Sequence, residues 1–399
     1  MEPLLELPET NVPGDLVVDL PSRDLVMRYL ETQPLLHATS VAEDATLDLA
    51  LLSLTDAGYL AHRPGPPAVD LVDAVLADVR VYFQERAGGW VPEIGKNRDL
   101  NGIVGFPQSQ PHGFGEPVLA TAGEWLRPGP PGAGRGVRVG VLDTAIFAHP
   151  DLAGHYLAET TYRPPATAVA GWAGHATFIA GLIVAQAPAA ELRMRAVLDN
   201  ATGKATAWDT ARSMAALATD GLDILNVSLG CRTADGDAPL VLRRAVEVLG
   251  RRTLIVAAAG NHAQSSFAFQ PSFPAALPGV LAVGAAYSGG SPPADLALFS
   301  PALPWVDCVA LGVDLVSTYL ADAKVPTHSP SGDEQETTFH GYASWSGTSF
   351  AAAQVTGAVA RRMSEAGESA QEAVAHLLDT PDSGVQRYTW KDSVLSGTG

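Results

Sequence analysis

The chain has 399 residues, 47% hydrophobic and 17% charged, with 25 Lys and Arg against 43 Asp and Glu and a formal net charge of −18 at pH 7. This composition supports a large buried core and excludes global disorder. The acidity excludes a nucleic-acid backbone as the main partner, because phosphate binding needs clustered Lys and Arg. Only Cys231 and Cys308 occur, which excludes a disulfide-dense scaffold and any CxxC zinc or redox motif. They read as two packed thiols, with a single bridge left open as the alternative. The first residues, MEPLLELPETNVPGDL, are acidic and broken by prolines, without the basic start and apolar run of a signal peptide. No apolar stretch reaches ~18 residues. A cytoplasmic protein without a membrane span is the expectation.

Residues 1–115 read as a smaller, separate N-terminal α+β region, an accessory or prodomain-like unit. Ser22 caps an expected helix over LVMRYL. Residues 44–54 suit a strand or a helix. Residues 68–85 carry apolar side chains at helical spacing, among them Leu71, Val72, Val75, Leu76, Val79, Tyr82 and Phe83. Arg63-Pro64-Gly65-Pro66-Pro67 and the run RPGPPGAGRG (127–136) are the two Pro/Gly-rich breaks. The second closes a connector over 116–136, within a loop-rich stretch over 100–135.

From Val137 to about residue 380 the pattern changes to short apolar strands alternating with helices. Strands are expected at 137–142, 192–198, 223–229, 253–259, 280–286 and 305–311. Helices are expected at 173–187, 205–219, 240–249 and 349–363. Strands apolar on both faces and separated by helices imply an α/β fold with a mostly parallel sheet between helices. Residues 381–399 form a tail to which no role attaches.

In such a sheet, functional side chains gather at the carboxyl ends of strands and the helix starts that follow. Asp143 ends the first strand, in VGVLDTAIFAHPDL. His175 opens a helix, in GHATFIAG. Asn261 follows a strand, in AAAGN, and Ser349 opens the helix of SGTSFAAA. Acid, imidazole, hydroxyl and amide together suit acyl transfer. A serine hydroxyl needs a base to take its proton, neutral imidazole serves near pH 7, and a carboxylate holds the imidazole in one tautomer. An amide NH₂ plus a backbone N–H at a helix start would stabilise the oxyanion.

These blocks, in this order, resemble the subtilisin-like serine peptidases (subtilases). ILNVSLG (224–230), PSFPAALPGVLAVGA (271–285) and FS (299–300) with WVDCVALGVDLVST (305–318) extend the resemblance over residues 137–363. It implies a three-layer αβα fold and a serine endopeptidase needing no cofactor, whose partner is a peptide or protein substrate. By this resemblance Asp143, His175 and Ser349 are the triad and Asn261 the oxyanion donor. Ser228, Leu229 and Gly230 pair with an extended substrate, and Gly260 and Ser272 neighbour its pocket. Two alternatives stand beside this reading: a disabled peptidase fold used for binding, and a dedicated precursor-processing protease. The N-terminal region reads either as a cleaved inhibitor or as a docking site for a regulatory partner, with the connector near the active site.

The chain departs from the family at several points. Ala145 stands where a glycine is usual, in a turn where a positive φ would resist it. Ala176 replaces the glycine after His175. Phe350, in place of methionine, is expected to crowd the leaving-group side. Ala352-Ala353-Gln354 replaces Ser-Pro-His. The stretch from the His helix to the next strand lacks an inserted loop and carries only Glu191 as a carboxylate, so no calcium, and no other metal, is expected there. Asp333-Glu334-Gln335-Glu336 reads as a solvated loop. His149, His155, His262, His328 and His340 read as hydrogen-bonded or exposed loop residues. GAGRGVRVG (132–140) precedes a strand and so fails as a phosphate loop. The sequon Asn226-Val227-Ser228 falls in an expected buried strand.

Overall fold

The computed structural model of the protein describes residues 10–63, 70–103, 115–125, 129–233, 235–287, 296–329, 333–380 and 383–388. Parts of both Pro/Gly-rich breaks, most of the stretch just after residue 103 and most of the C-terminal tail lie outside these.

The N-terminal region runs β1 (Asn11–Asp19), α1 (Arg23–Glu31), β2 (Leu36–Asp44), β3 (Leu49–Asp56), α2 (Tyr59–His62), α3 (Leu71–Arg86) and β4 (Ile94–Gly102). The open choice at 44–54 resolves as strand. Residues 45–48 turn between β2 and β3, which pair antiparallel. Asp70 caps α3 by accepting the Asp73 N–H at 3.0 Å, and the helix buries Val72, Val75, Leu76, Val79 and Phe83. Ser22 does not cap α1 with its hydroxyl. It donates to Asp19 at 2.6 Å, and the Asp19 carboxylate closes the turn before the helix. These elements share a core of their own, including Leu16, Val18, Val26, Leu30, Leu52, Val75 and Val79.

The rest follows as β5 (Val118–Leu119), β6 (Arg138–Asp143), β7 (Tyr156–Ala158), α4 (His175–Gln186), β8 (Glu191–Ala196), β9 (Lys204–Thr206) and α5 (Ala207–Leu217). Next come β10 (Ile224–Val227), β11 (Leu229–Arg232), α6 (Leu240–Leu249), β12 (Leu254–Ala258), β13 (Ser272–Phe273), β14 (Val280–Ala286) and β15 (Cys308–Leu311). The hairpin β16 (Leu315–His328) and β17 (Glu334–Trp345), then α7 (Thr348–Ala366), α8 (Ala370–Asp379) and β18 (Val385–Arg387), complete it. The central sheet runs β18-β15-β14-β12-β10-β6-β8-β7, parallel except at β18. Helices α4 and α7 pack on one face and α5 and α6 on the other, each with its own apolar core. This is the expected three-layer α/β fold with a mostly parallel sheet.

One strand joins the two regions. The first half of β4 pairs with β1 in the N-terminal sheet, with Val17 opposite Gly95. Its second half pairs antiparallel with β9, Leu100 opposite Ala205, and with β11, Leu229 opposite Gly102 and Gly230 opposite Asn101. Asn97 fixes the crossing: its Oδ1 accepts the Trp208 N–H at the start of α5, and its Nδ2 donates to Asp15. Residues 100–102, read from sequence as the start of a loop-rich stretch, are therefore strand. The reason is tertiary: polar-looking DLNG gains ladder hydrogen bonds only from partners distant in the chain.

Two smaller readings change. Glu334 and Glu336 stand in β17 instead of a loop, and Glu336 meets Lys324 across the hairpin at 2.8 Å. Ala145 does not take a positive φ, and its N–H donates to Asn200 Oδ1 at 2.9 Å.

Candidate active site

Asp143 is the last residue of β6 and His175 the first of α4, both fully buried. The His175 Nδ1 lies 2.8 and 2.9 Å from the two Asp143 carboxylate oxygens. Asp143 Oδ1 also accepts the Thr144 N–H at 2.7 Å. The Thr144 hydroxyl oxygen in turn accepts the Ala176 N–H in the first turn of α4, which ties the strand end to the helix start. The carboxylate is thus fixed before it meets the imidazole. It directs the Nδ1–H toward itself and leaves Nε2 facing away.

Ser349 lies in the first turn of α7 and is fully buried. Its hydroxyl donates to the carbonyl of Ile103, the residue after β4, at 2.7 Å. The hydroxyl thus points onto the N-terminal segment. His175 Nε2, buried, has no hydrogen-bond partner among the described residues. Phe350 brings the helix start and the imidazole close, with ring centroids 5.4 Å apart. It is buried against Phe178 and Trp345, at 4.5 and 5.1 Å, as the floor under His175.

Asn261 follows Gly260 after β12. Its Oδ1 accepts the Thr348 N–H at 3.0 Å and the Thr348 hydroxyl at 2.9 Å, and the same hydroxyl oxygen accepts the Gly260 N–H at 3.1 Å. Two donors on Oδ1 fix which way the amide faces. Its Nδ2 is buried and has no partner among the described residues. A buried donor left unpaired costs about 1–3 kcal/mol. Two orphaned polar atoms, Asn261 Nδ2 and His175 Nε2, in one site call for a ligand or a reaction to explain them.

The residues expected to pair with substrate are paired within the chain. Ser228 accepts the Ile103 N–H at 3.2 Å, and Leu229 and Gly230 pair with Gly102 and Asn101. The Ser228 hydroxyl lies 3.4 Å from the Ser349 carbonyl, linking this strand to α7. Gly260 takes φ +103. Ser272 lies on β13, which pairs with the far end of β11. Sequence reasoning missed Thr348, which sits between two motif residues, and Ile103, whose role depends on a strand pairing that no local pattern announces.

The surrounding titratable groups are structural. His149 Nε2 donates to the Gly341 carbonyl at 2.9 Å, and burial holds its pKa below the ordinary value. His262 bonds the Gln270 carbonyl, and burial pushes its pKa down to about 4. His155 bonds the Pro188 carbonyl, His328 meets Glu116, and His340 is exposed beside Asp322. Cys231 and Cys308 are free and buried, and burial pushes the Cys231 thiol up to about 12, leaving it unreactive. Asn226 of the sequon is fully buried in β10. Among the described residues, no group of three or more His, Cys, Asp or Glu could hold a metal, and no helix is long and apolar enough to cross a membrane.

The model of the subtilase family, Peptidase S8, matches residues 134–388. The chain belongs to the subtilase family. It is a serine-type peptidase, similar to subtilisin BL and subtilisin Savinase of Lederbergia lenta. It is 32% and 31% identical to them over 236 residues, which cover 57% of this chain and 76% of each relative. Among solved structures it is similar to fervidolysin from Fervidobacterium pennivorans, a keratinolytic enzyme related to subtilisin. That match has a TM-score of 0.62 at 19% identity and covers 94% of this chain and 58% of that one. It speaks to the fold alone, but it extends over the N-terminal region of this subtilase as well as the three-layer core.

Proposed function

We propose that this subtilase is an endopeptidase working through an acyl-enzyme on Ser349, and that its N-terminal region restrains it by filling the substrate groove. In the reaction, the Ser349 Oγ turns from Ile103 to His175 Nε2, gives up its proton and attacks a carbonyl carbon. Asp143 holds the imidazole and stabilises the imidazolium. Asn261 Nδ2 donates to the oxyanion, the imidazolium protonates the leaving amine, and water then hydrolyses the ester by the same path. Substrate binds by strand addition between β9 and β11, with main-chain bonds giving affinity.

The observation that carries this reading is the Ser349 hydroxyl donating to the backbone carbonyl of Ile103, the residue that follows a strand paired on both sides. That contact spends the hydroxyl's proton on Ile103, so restraint and catalysis exclude each other. Anything that lifts β4 from the groove, a regulatory partner included, releases the enzyme. Two free buried thiols fit a reducing, cytoplasmic compartment.

A fluorophosphonate probe tests the reading. It should form one adduct, on Ser349, slowly in the full chain and not at all in Ser349→Ala. A chain that never labels at Ser349, even when protein substrate is withheld and exposure is long, is a binding protein on a peptidase scaffold.

A further inference from the structure

Trp172 stands three residues before His175, in the short turn Gly171–Gly174 that leads into α4. Its ring is 5.6 Å from the His175 ring and 6.5 Å from that of Trp345. It also closes over the segment lying in the groove. A Cβ built on Gly102 would fall 2.7 Å from Trp172 Cζ3, 3.1 Å from its Cη2 and 3.2 Å from Leu198 Cδ1. Gly203, whose carbonyl accepts the Gly102 N–H at 2.8 Å, faces the same ring, with its own Cβ position 3.0 Å from two indole carbons. The indole thus abuts two glycines, the last residue of β4 and the residue just before β9.

The half-exposed ring is held at its base. The turn that bears it is pinned by the Tyr319 hydroxyl, which donates to the Gly171 carbonyl at 2.6 Å. Gly174 abuts the Tyr319 ring so closely that a Cβ there would fall 2.1 Å away. Behind the indole stand His175 and Trp345. Two residues before Gly102, Leu100 is fully buried in the core cluster that contains Leu142, Leu198 and Trp208. The segment is therefore anchored upstream and cannot slide to relieve a clash at residue 102.

Resting on the peptidase reading above, the geometry points to Trp172 as a specificity-determining residue. It disfavours any side chain at the substrate position immediately before the residue whose carbonyl meets Ser349. The substrate class is an extended peptide with glycine there and a large aliphatic residue two positions upstream, as in Leu100-Asn101-Gly102-Ile103. The chain's own segment satisfies the filter that any outside peptide must pass.

Two arms test this, the first without catalysis. In the full chain carrying Ser349→Ala, amide hydrogen exchange at residues 102 and 103 reads whether the segment is seated. Adding Gly102→Ala should speed exchange about tenfold or more, as overpacking a tight contact does, and adding Trp172→Ala to that variant should restore protection. Trp172→Leu replaces the alanine variant if that one does not fold. Unchanged exchange in Gly102→Ala, or no rescue by either Trp172 variant, overturns the proposal. In the second arm, the full chain is given coumarylamides of Leu-Asn-Gly-Ile and Leu-Asn-Ala-Ile. The glycine peptide should lead by about tenfold or more in kcat/KM, and Trp172→Ala should bring the two near parity. Equal hydrolysis by the unmutated chain refutes the filter. Hydrolysis of neither peptide, together with no fluorophosphonate adduct, counts against the peptidase reading alone, and the exchange arm then decides the role of Trp172.

Discussion

Replacing Thr348 by valine removes one hydroxyl and keeps the volume. In the structure that hydroxyl donates to Asn261 Oδ1 at 2.9 Å and accepts the Gly260 N–H at 3.1 Å. Asn261 keeps a second hold, the Thr348 N–H at 3.0 Å, so its amide loosens without flipping free. A net hydrogen bond is worth about 0.5–1.5 kcal/mol, so the lost orientation should lower kcat about three- to tenfold with little change in KM. Asn261→Ala removes the proposed oxyanion donor itself and should cost about 10²–10³ in kcat. Because Thr348 acts through Asn261, the double variant should be no slower than Asn261→Ala alone. The orphaned Gly260 N–H should also lower stability by about 1–3 kcal/mol. The assay is steady-state hydrolysis of Leu-Asn-Gly-Ile coumarylamide, with all variants made in a Leu100→Ala background to open the groove, and thermal melting alongside. Losses that multiply in the double variant, or a rise in KM with kcat intact, would refute the argument that Thr348 orients the oxyanion donor.

Three further outcomes follow from the same contacts. Leu100 is fully buried, and a Leu→Ala cavity costs about 2–5 kcal/mol. Leu100→Ala should therefore unseat the segment and speed fluorophosphonate labelling of Ser349 at least about tenfold, and an unchanged rate would mean the segment does not guard the hydroxyl. Burial holds His262 neutral, with a pKa near 4 against the ordinary 6.5. The unfolded chain alone binds the proton between those values, so this stabilisation is full above about pH 6.5. It is lost as pH falls toward 4, by up to about 3 kcal/mol. Denaturant titrations at pH 4.5 and 7.5 should show this loss, and His262→Gln should flatten it. A Cβ at Gly230 would meet the Phe273 carbonyl oxygen at 2.7 Å. Gly230→Ala should distort the groove floor and raise KM for extended peptides more than for a minimal ester. Equal effects on both substrates would place the damage elsewhere.

Much of the three-layer core was legible because its strands are apolar on both faces. VRVGVL and TLIVAAA announce buried parallel strands by composition alone, with Asp143 and Asn261 at or just past strand ends and His175 and Ser349 at helix starts. Local pattern could not show what fills the groove. The residues DLNG, polar and ending in glycine, look like a loop, and they become strand only because β9 and β11 flank them. Trp172 was passed over for a similar reason. A tryptophan beside glycines carries no motif, and its meaning lies in Gly102, seventy positions earlier. For Phe350, sequence gives its neighbours in the chain but not the rings of Phe178 and Trp345 against which it is buried. Ser22 was a reasonable cap by type, and it lost the role to Asp19 because the chain enters α1 through a tight turn.

The account stands most directly on covalent chemistry at one hydroxyl. The Leu100→Ala chain, mixed with a slowly hydrolysed aryl ester, quenched in acid and mapped by mass spectrometry, should carry one acyl group on Ser349. His175→Ala in the same background should carry none. An acyl group at another residue, or equal acylation with and without the imidazole, would contradict it.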